Sequence, residues 1–295
     1  MYVNYLESHI LEDTEVYAAY PYTEAAGSTQ CTALVPAAGA DRGQLAITAN
    51  GYYIMFTCTV QAYGTVDNGS GLRRLVRQSA TGTYQMWDMA TNYTWGRQPV
   101  MASDTGAFIY VAPWDSVIVG LNTTTAMIDP VTAGAINATA LQVYNGALYA
   151  AVAAPAPGGV AQVGAGLPGA NANATVTLLP GFGTGPQRAP RAFVFADAAT
   201  LYVADTRVPT AQVYRWSFDG SVWREAAALA VSSAWTIFSL AGGWEDGSFI
   251  LYAASRARSW TYNTSTDTPV LQAVAISNEV FIGIVAHLVS PTAAS

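Results

Sequence analysis

Short runs rich in valine, isoleucine, leucine, tyrosine and phenylalanine recur along the chain between clusters of glycine, asparagine, aspartate and proline. Apolar residues at helical spacing are nearly absent, so the pattern predicts an all-β protein. One unit returns: an apolar strand, a short turn, then a second strand centred on an aromatic followed by small residues. The second strand is read at residues 15–21, 52–58, 107–113, 147–152, 200–205 and 249–254. The apolar strand before it is clearest at 44–48, 140–144, 191–195 and 235–239. The aromatic centres stand roughly 36 to 57 residues apart, which suits a repeat of four-stranded sheets and is too irregular for a solenoid.

The cleanest unit runs from Arg191 to about Leu229. Its strands are read at 191–195, 201–204, 211–216 and from Val222 onward, with Asp219-Gly220 as the hairpin turn before the last. Residues 201–206, Leu-Tyr-Val-Ala-Asp-Thr, resemble the second strand of secreted β-propellers of the NHL-like kind. The resemblance covers about forty residues and implies architecture, not activity. It points to one all-β propeller domain over residues 1–290, with six four-stranded blades favoured and seven as the alternative. An open ring would expose strand edges, so the two chain ends are expected to share one blade, residues 1 to about 36 supplying three strands and 279–286 the fourth. The Gly/Ala/Pro-rich segment 155–174 reads as a long loop, and residues 291–295 as the start of a Pro/Ser/Thr linker.

Composition sharpens this picture. Of the 295 residues 52% are hydrophobic and only 11% are charged, against roughly 25% in an ordinary soluble domain. Aromatic and β-branched residues are too many for disorder. All twelve basic residues are arginine and the net charge is −7, which argues against a nucleic-acid partner, because the only basic cluster is Arg73, Arg74 and Arg77. No apolar run is long enough to cross a bilayer. The first ten residues lack the layout of a secretion signal, and the expectation is a signal already removed or a fragment.

Six of the eleven asparagines, Asn68, Asn92, Asn122, Asn137, Asn173 and Asn263, stand in Asn-X-Ser/Thr sequons, where chance gives about two. N-linked glycans are therefore expected on an extracellular or cell-surface chain, and hydrated sugar would replace the missing ionic surface. Cys31 and Cys58 are the only cysteines. In a secreted chain they are expected to form a disulfide, worth about 3.5 kcal/mol in the chain-entropy model, with two buried thiols as the alternative.

Candidate chemistry is sparse. No nucleophile elbow, phosphate loop, zinc helix or EF-hand pattern occurs. His9 and His287 would fall in the same terminal blade as a metal or acid/base pair, the plainer reading being two separate histidines. Glu7, Glu12, Asp13 and Glu15 crowd the N-terminus at a spacing that matches no calcium loop. Asp197, Asp205, Asp219 and Asp246 fall at turns, where carboxylates cap backbone N–H groups. Trp216, Trp223, Trp235 and Trp260 recur where sheets would pack on one another, although exposed aromatics would also suit sugar stacking.

No catalytic, metal or cofactor residue is therefore assigned. The expectation is a non-enzymatic structural or adhesive propeller that self-associates into a surface layer or filament, with other copies or matrix and cell-wall glycoproteins as partners. The alternative is a carbohydrate- or protein-binding module, and a propeller hydrolase or lyase ranks third because it needs carboxylates or histidines converging at the channel.

Overall fold

The computed structural model describes residues 100–112, 117–153, 158–183, 189–206, 212–229, 239–255, 258–266 and 268–274, with Ile237 and the strands at 2–5, 45–47, 53–60, 72–78, 84–88 and 281–285. All regular structure among them is β. The strands are β1 (Tyr2–Tyr5), β2 (Leu45–Ile47), β3 (Tyr53–Val60), β4 (Leu72–Gln78), β5 (Tyr84–Asp88), β6 (Val100–Ser103), β7 (Phe108–Ala112), β8 (Val119–Asn122), β9 (Met127–Pro130), β10 (Ala138–Tyr144) and β11 (Ala147–Val152). They continue as β12 (Gly159–Val163), β13 (Val176–Leu178), β14 (Pro190–Asp197), β15 (Thr200–Asp205), β16 (Gln212–Phe218), β17 (Trp223–Leu229), β18 (Ser239–Glu245), β19 (Ser248–Ala254), β20 (Arg258–Asn263), β21 (Thr268–Val274) and β22 (Phe281–Val285).

From β2 to β21 these strands form five four-stranded antiparallel meanders in chain order, and β1 pairs antiparallel with β22 in a further sheet. The first strands of successive meanders, β2, β6, β10, β14 and β18, neighbour one another, and β22 lies against β18, β19 and β2. Turn chemistry explains the hairpins. Asn145-Gly146 between β10 and β11, and Asp246-Gly247 between β18 and β19, all take positive φ, as a two-residue turn matched to strand twist requires.

The apolar runs lack strict alternation because a middle sheet buries both faces. On β14, Phe193 and Phe195 pack toward the β10–β13 sheet with Leu201, Val203, Tyr214, Trp216 and Trp223. The intervening Ala192 and Val194 pack the other way, with Leu240, Phe249, Leu251 and Trp260 of the β18–β21 sheet. Tyr110, Ile118 and Val131 meet Leu141, Leu148 and Val163 at the preceding interface. Burying one such large side chain contributes about 1.5–3 kcal/mol, so these face-to-face contacts dominate the fold. Trp216 stacks on Phe182 with centroids 4.0 Å apart, and Trp223 sits edge-on to Phe195 at 5.9 Å.

Five of the six expected second strands coincide with β3, β7, β11, β15 and β19, while residues 15–21 lie outside the described residues. The unit from Arg191 to Leu229 is the sheet β14–β15–β16–β17. The N-terminal region shows one of its three expected strands, β1, among the described residues. Two expectations are corrected. The segment read as a loop over 155–174 contains β12, whose Val160, Ala161 and Val163 are fully buried. Its small residues are packing residues: a Cβ at Gly159 would stand 2.8 Å from Cβ of Phe182. The inner strand read at 235–239 is instead β18, which starts at Ser239. Gly242-Gly243 looks like a break in sequence, yet a Cβ at Gly242 would lie 2.6 Å from Cε1 and Cζ of Phe249.

Because Phe249 is buried, its ring has little room to yield. Gly242→Ala is expected to lower the unfolding free energy by about 1–3 kcal/mol in urea titration. Gly134→Ala, with nothing within 4 Å of the added Cβ, is expected to stay within about 0.5 kcal/mol of wild type.

Candidate functional site

In a four-stranded meander the turn between strands one and two and the turn between strands three and four emerge along the same edge of the sheet. Three large apolar side chains are exposed among the described residues, and all three stand on this turn edge: Trp244 at 52%, Met127 at 58% and Leu167 at 39% exposure. Trp244 is the penultimate residue of β18, beside the Asp246-Gly247 turn, and pairs across the hairpin with Phe249. Its ring meets Phe249 edge-on, centroids 5.5 Å apart, and its Nε1–H donates to the Ala196 carbonyl of the neighbouring sheet at 2.9 Å. The indole is thus pinned across two sheets with half of its surface open to solvent.

Carboxylates stand near it in sequence. Glu245 and Asp246 follow it on the exposed turn, and Asp197 follows Ala196 on the adjoining sheet. Glu245 accepts the Tyr252 hydroxyl, and burial together with this carboxylate raises the Tyr252 phenol well above its ordinary value. Trp244 was not singled out from the sequence. The signal that marks it is its place at a strand end immediately before Glu-Asp-Gly, where the sheet provides fewer covering neighbours.

Three of the four expected carboxylate caps are present, and Asp246 contributes instead a left-handed turn position with φ +46°. Asp197 Oδ1 accepts the Ala199 N–H at 2.7 Å, and Asp205, only 2% exposed, accepts the Ala189 N–H at 3.2 Å. Asp219 accepts the Val222 N–H at 2.9 Å, the Arg224 Nε–H at 2.9 Å and the Ser221 N–H at 3.0 Å, which together hold its carboxyl far below the usual range. The tryptophans Trp216, Trp223 and Trp260 are buried, and Trp235 lies outside the described residues.

The sequons divide by environment. Asn122 and Asn263 end the third strands of their sheets and build the same turn: Asn122 Oδ1 accepts the N–H of Thr124 at 2.9 Å and Thr125 at 3.2 Å, and Asn263 Oδ1 those of Ser265 at 2.8 Å and Thr266 at 3.3 Å. Asn173 is exposed with φ +49°. It sits on a strap, residues 164–175, that joins two sheets: Asn171 N–H donates to Pro130 O at 2.8 Å, Ala174 N–H to Val131 O at 2.7 Å, and the Tyr110 hydroxyl to Pro168 O at 2.9 Å. Asn137 differs, its Oδ1 being buried with no described partner.

Asn68, Asn92, Cys31, His9, His287, Glu7, Glu12, Asp13 and Glu15 lie outside the described residues. Cys58 lies on β3, and Arg73, Arg74 and Arg77 on β4, where the backbone alone is described. Among the described residues no three His, Cys, Asp or Glu side chains gather as metal ligands would.

No family model and no curated protein matches the sequence. Solved structures do. The chain is similar to the Niastella koreensis GH74 enzyme, at 12% identity and TM-score 0.51 over 79% of this chain, and to a chain of the nidogen/laminin complex, at 11% identity and TM-score 0.55 over 82% of it. The fold is propeller-like. The chain spans 38% of the length of the first of these proteins and 83% of the second. At such identities the likeness concerns the fold alone.

The strap supplies a pH test. Burial first, and Asp104 second, push the Tyr110 phenol up to about 12, so its contribution to stability is full below its ordinary value near 10 and is lost as pH rises from about 10 to about 12. Tyr110→Phe leaves Pro168 O without its donor and is expected to cost about 1–3 kcal/mol at neutral pH. In urea titrations the gap between variant and wild type is expected to narrow across that alkaline window.

Proposed function

We propose that the chain is an extracellular, N-glycosylated β-propeller that acts as an adhesive unit, holding the glycan of another glycoprotein on its turn edge through Trp244 rather than transforming it. The observation that carries this reading is the indole fixed between two sheets and half open to solvent. A pyranose presents a face of C–H groups to an aromatic ring, and a ring already immobilised loses little freedom on binding. Asp246, exposed on the adjoining turn, is an acceptor for sugar hydroxyls, whereas Glu245 faces the other side of the sheet and holds the Tyr252 hydroxyl.

The glycoprotein part of the proposal is supported by six sequons, with Asn122, Asn173 and Asn263 on turns or surface straps. Sugar there offsets a charge content of 11% and a mean hydropathy of +0.24. A chain that both carries and holds sugar fits a layer or matrix in which copies and other glycoproteins are the partners. We further propose six blades in a closed ring, a reading supported by the β1–β22 pairing and by β22 lying against both β18 and β2. A second reading, assembly by apolar contact, is favoured by exposed Leu167 on the same edge.

Titration of the intact protein with its own released N-glycans, followed by isothermal calorimetry, is expected to saturate. Trp244→Ala is expected to weaken binding at least about tenfold and, through the lost edge-on contact with Phe249, to cost about 0.5–1.5 kcal/mol of stability, so affinities are compared where both proteins are fully folded. Unchanged affinity in Trp244→Ala, or no response to the glycans in wild type, overturns the sugar-binding proposal. Sedimentation separates the two modes of assembly: self-association that survives complete glycan removal belongs to apolar contact.

A further inference from the structure

Asn122 and Met127 stand directly opposite one another where β8 turns into β9. Directly opposed residues project from the same side of an antiparallel pair, with Cβ atoms about 4.5–5.5 Å apart. On the other flank of Asn122, in the same row, lies Phe108, whose ring is taken up by Gly120: a Cβ there would fall 2.1 Å from Phe108 Cζ. Met127, at 58%, is the most exposed large apolar side chain among the described residues.

The asparagine arm is fixed. Its Oδ1 is held by two backbone N–H groups, and the turn is anchored by Thr123, whose N–H donates to Ala107 O at 3.0 Å and whose Oγ1 donates to Ala107 O at 3.0 Å and Gly106 O at 3.1 Å. Asn122 Nδ2, the atom an N-linked sugar occupies, donates to no described residue. The other turns of this type among the described residues lack one half of the pair. Asn263 has Thr268 at the equivalent register position, and the third turn has Asp219, which offers no nitrogen.

We propose that Met127 is the protein platform for the first sugar of a glycan on Asn122, the apolar face of the ring lying on the thioether. The unbranched, polarizable side chain can follow the outline of the ring, and both apolar surfaces leave water. The assignment rests on the glycosylation reading above and goes beyond it, because it makes Met127 part of the glycoprotein's own surface and removes it from any contact patch with Leu167.

Peroxide footprinting tests it, since oxidation passes one oxygen from hydrogen peroxide to the accessible thioether and releases water. Three forms of the native glycoprotein are compared by peptide mass mapping: intact, trimmed by an endoglycosidase to one sugar per asparagine, and stripped by an amidase. Met127 sulfoxide is expected to form slowly in the first two and about threefold or more faster in the stripped form and in Asn122→Gln. Equal rates in all forms, or a trimmed form as fast as the stripped one, overturn the assignment while leaving glycosylation standing. An Asn122 peptide without sugar overturns both.

Discussion

A four-stranded sheet with large side chains on both faces is stable in water only when both faces are covered. That constraint organises this molecule. Phe193 and Phe195 point into one interface while Ala192 and Val194 point into the next, so the sheet β14–β15–β16–β17 cannot lose either neighbour without exposing a core. A row of such sheets has two uncovered ends, and the same logic that fills the interior asks the ends to meet. In the ring we propose, β1 and β22 answer that demand by pairing the first strand with the last.

With the faces consumed by packing, what remains for solvent and partners is the turn edges and outer strands. This explains why the features open to chemistry gather there. Carboxylates such as Asp197 and Asp219 serve the backbone of tight turns, and Asn122 and Asn263 do the same through Oδ1, leaving Nδ2 as the atom that the proposed glycosylation would use. Trp244 differs because its polar atom is satisfied by the neighbouring sheet and its ring is left to solvent. The binding role proposed for it relies on that rigid presentation of an apolar surface, which follows from inter-sheet packing.

The repeat was legible because the second strands β7, β11, β15 and β19 are buried along most of their length and therefore read as unbroken apolar runs around an aromatic. The turn aspartates were legible for the same local reason that makes them turns. β18 and β12 were not, since Gly242 is small to admit Phe249 from the partner strand of its own hairpin and Gly159 to admit Phe182 from the turn after β13, and a glycine in an apolar run reads as a break until its partner's register is known. Trp244 was missed because aromatic content alone does not distinguish a strand end from a strand centre. The Asn122–Met127 juxtaposition depends on hairpin register, which the sequence shows only once the turn length is known.

The pairing of the chain ends is the claim on which the proposed ring depends, and an engineered crosslink addresses it directly. Val3 and Ile284 are register partners, and an antiparallel ladder places such Cα atoms about 4.5–5.5 Å apart, within the range a disulfide spans. In Val3→Cys/Ile284→Cys, mild oxidation of the folded monomer is predicted to give a peptide joining positions 3 and 284, with the unfolding free energy raised by up to about 5 kcal/mol. If those thiols stay reduced in the folded monomer and crosslink only after denaturation, the two ends do not share a sheet and the closed ring is wrong.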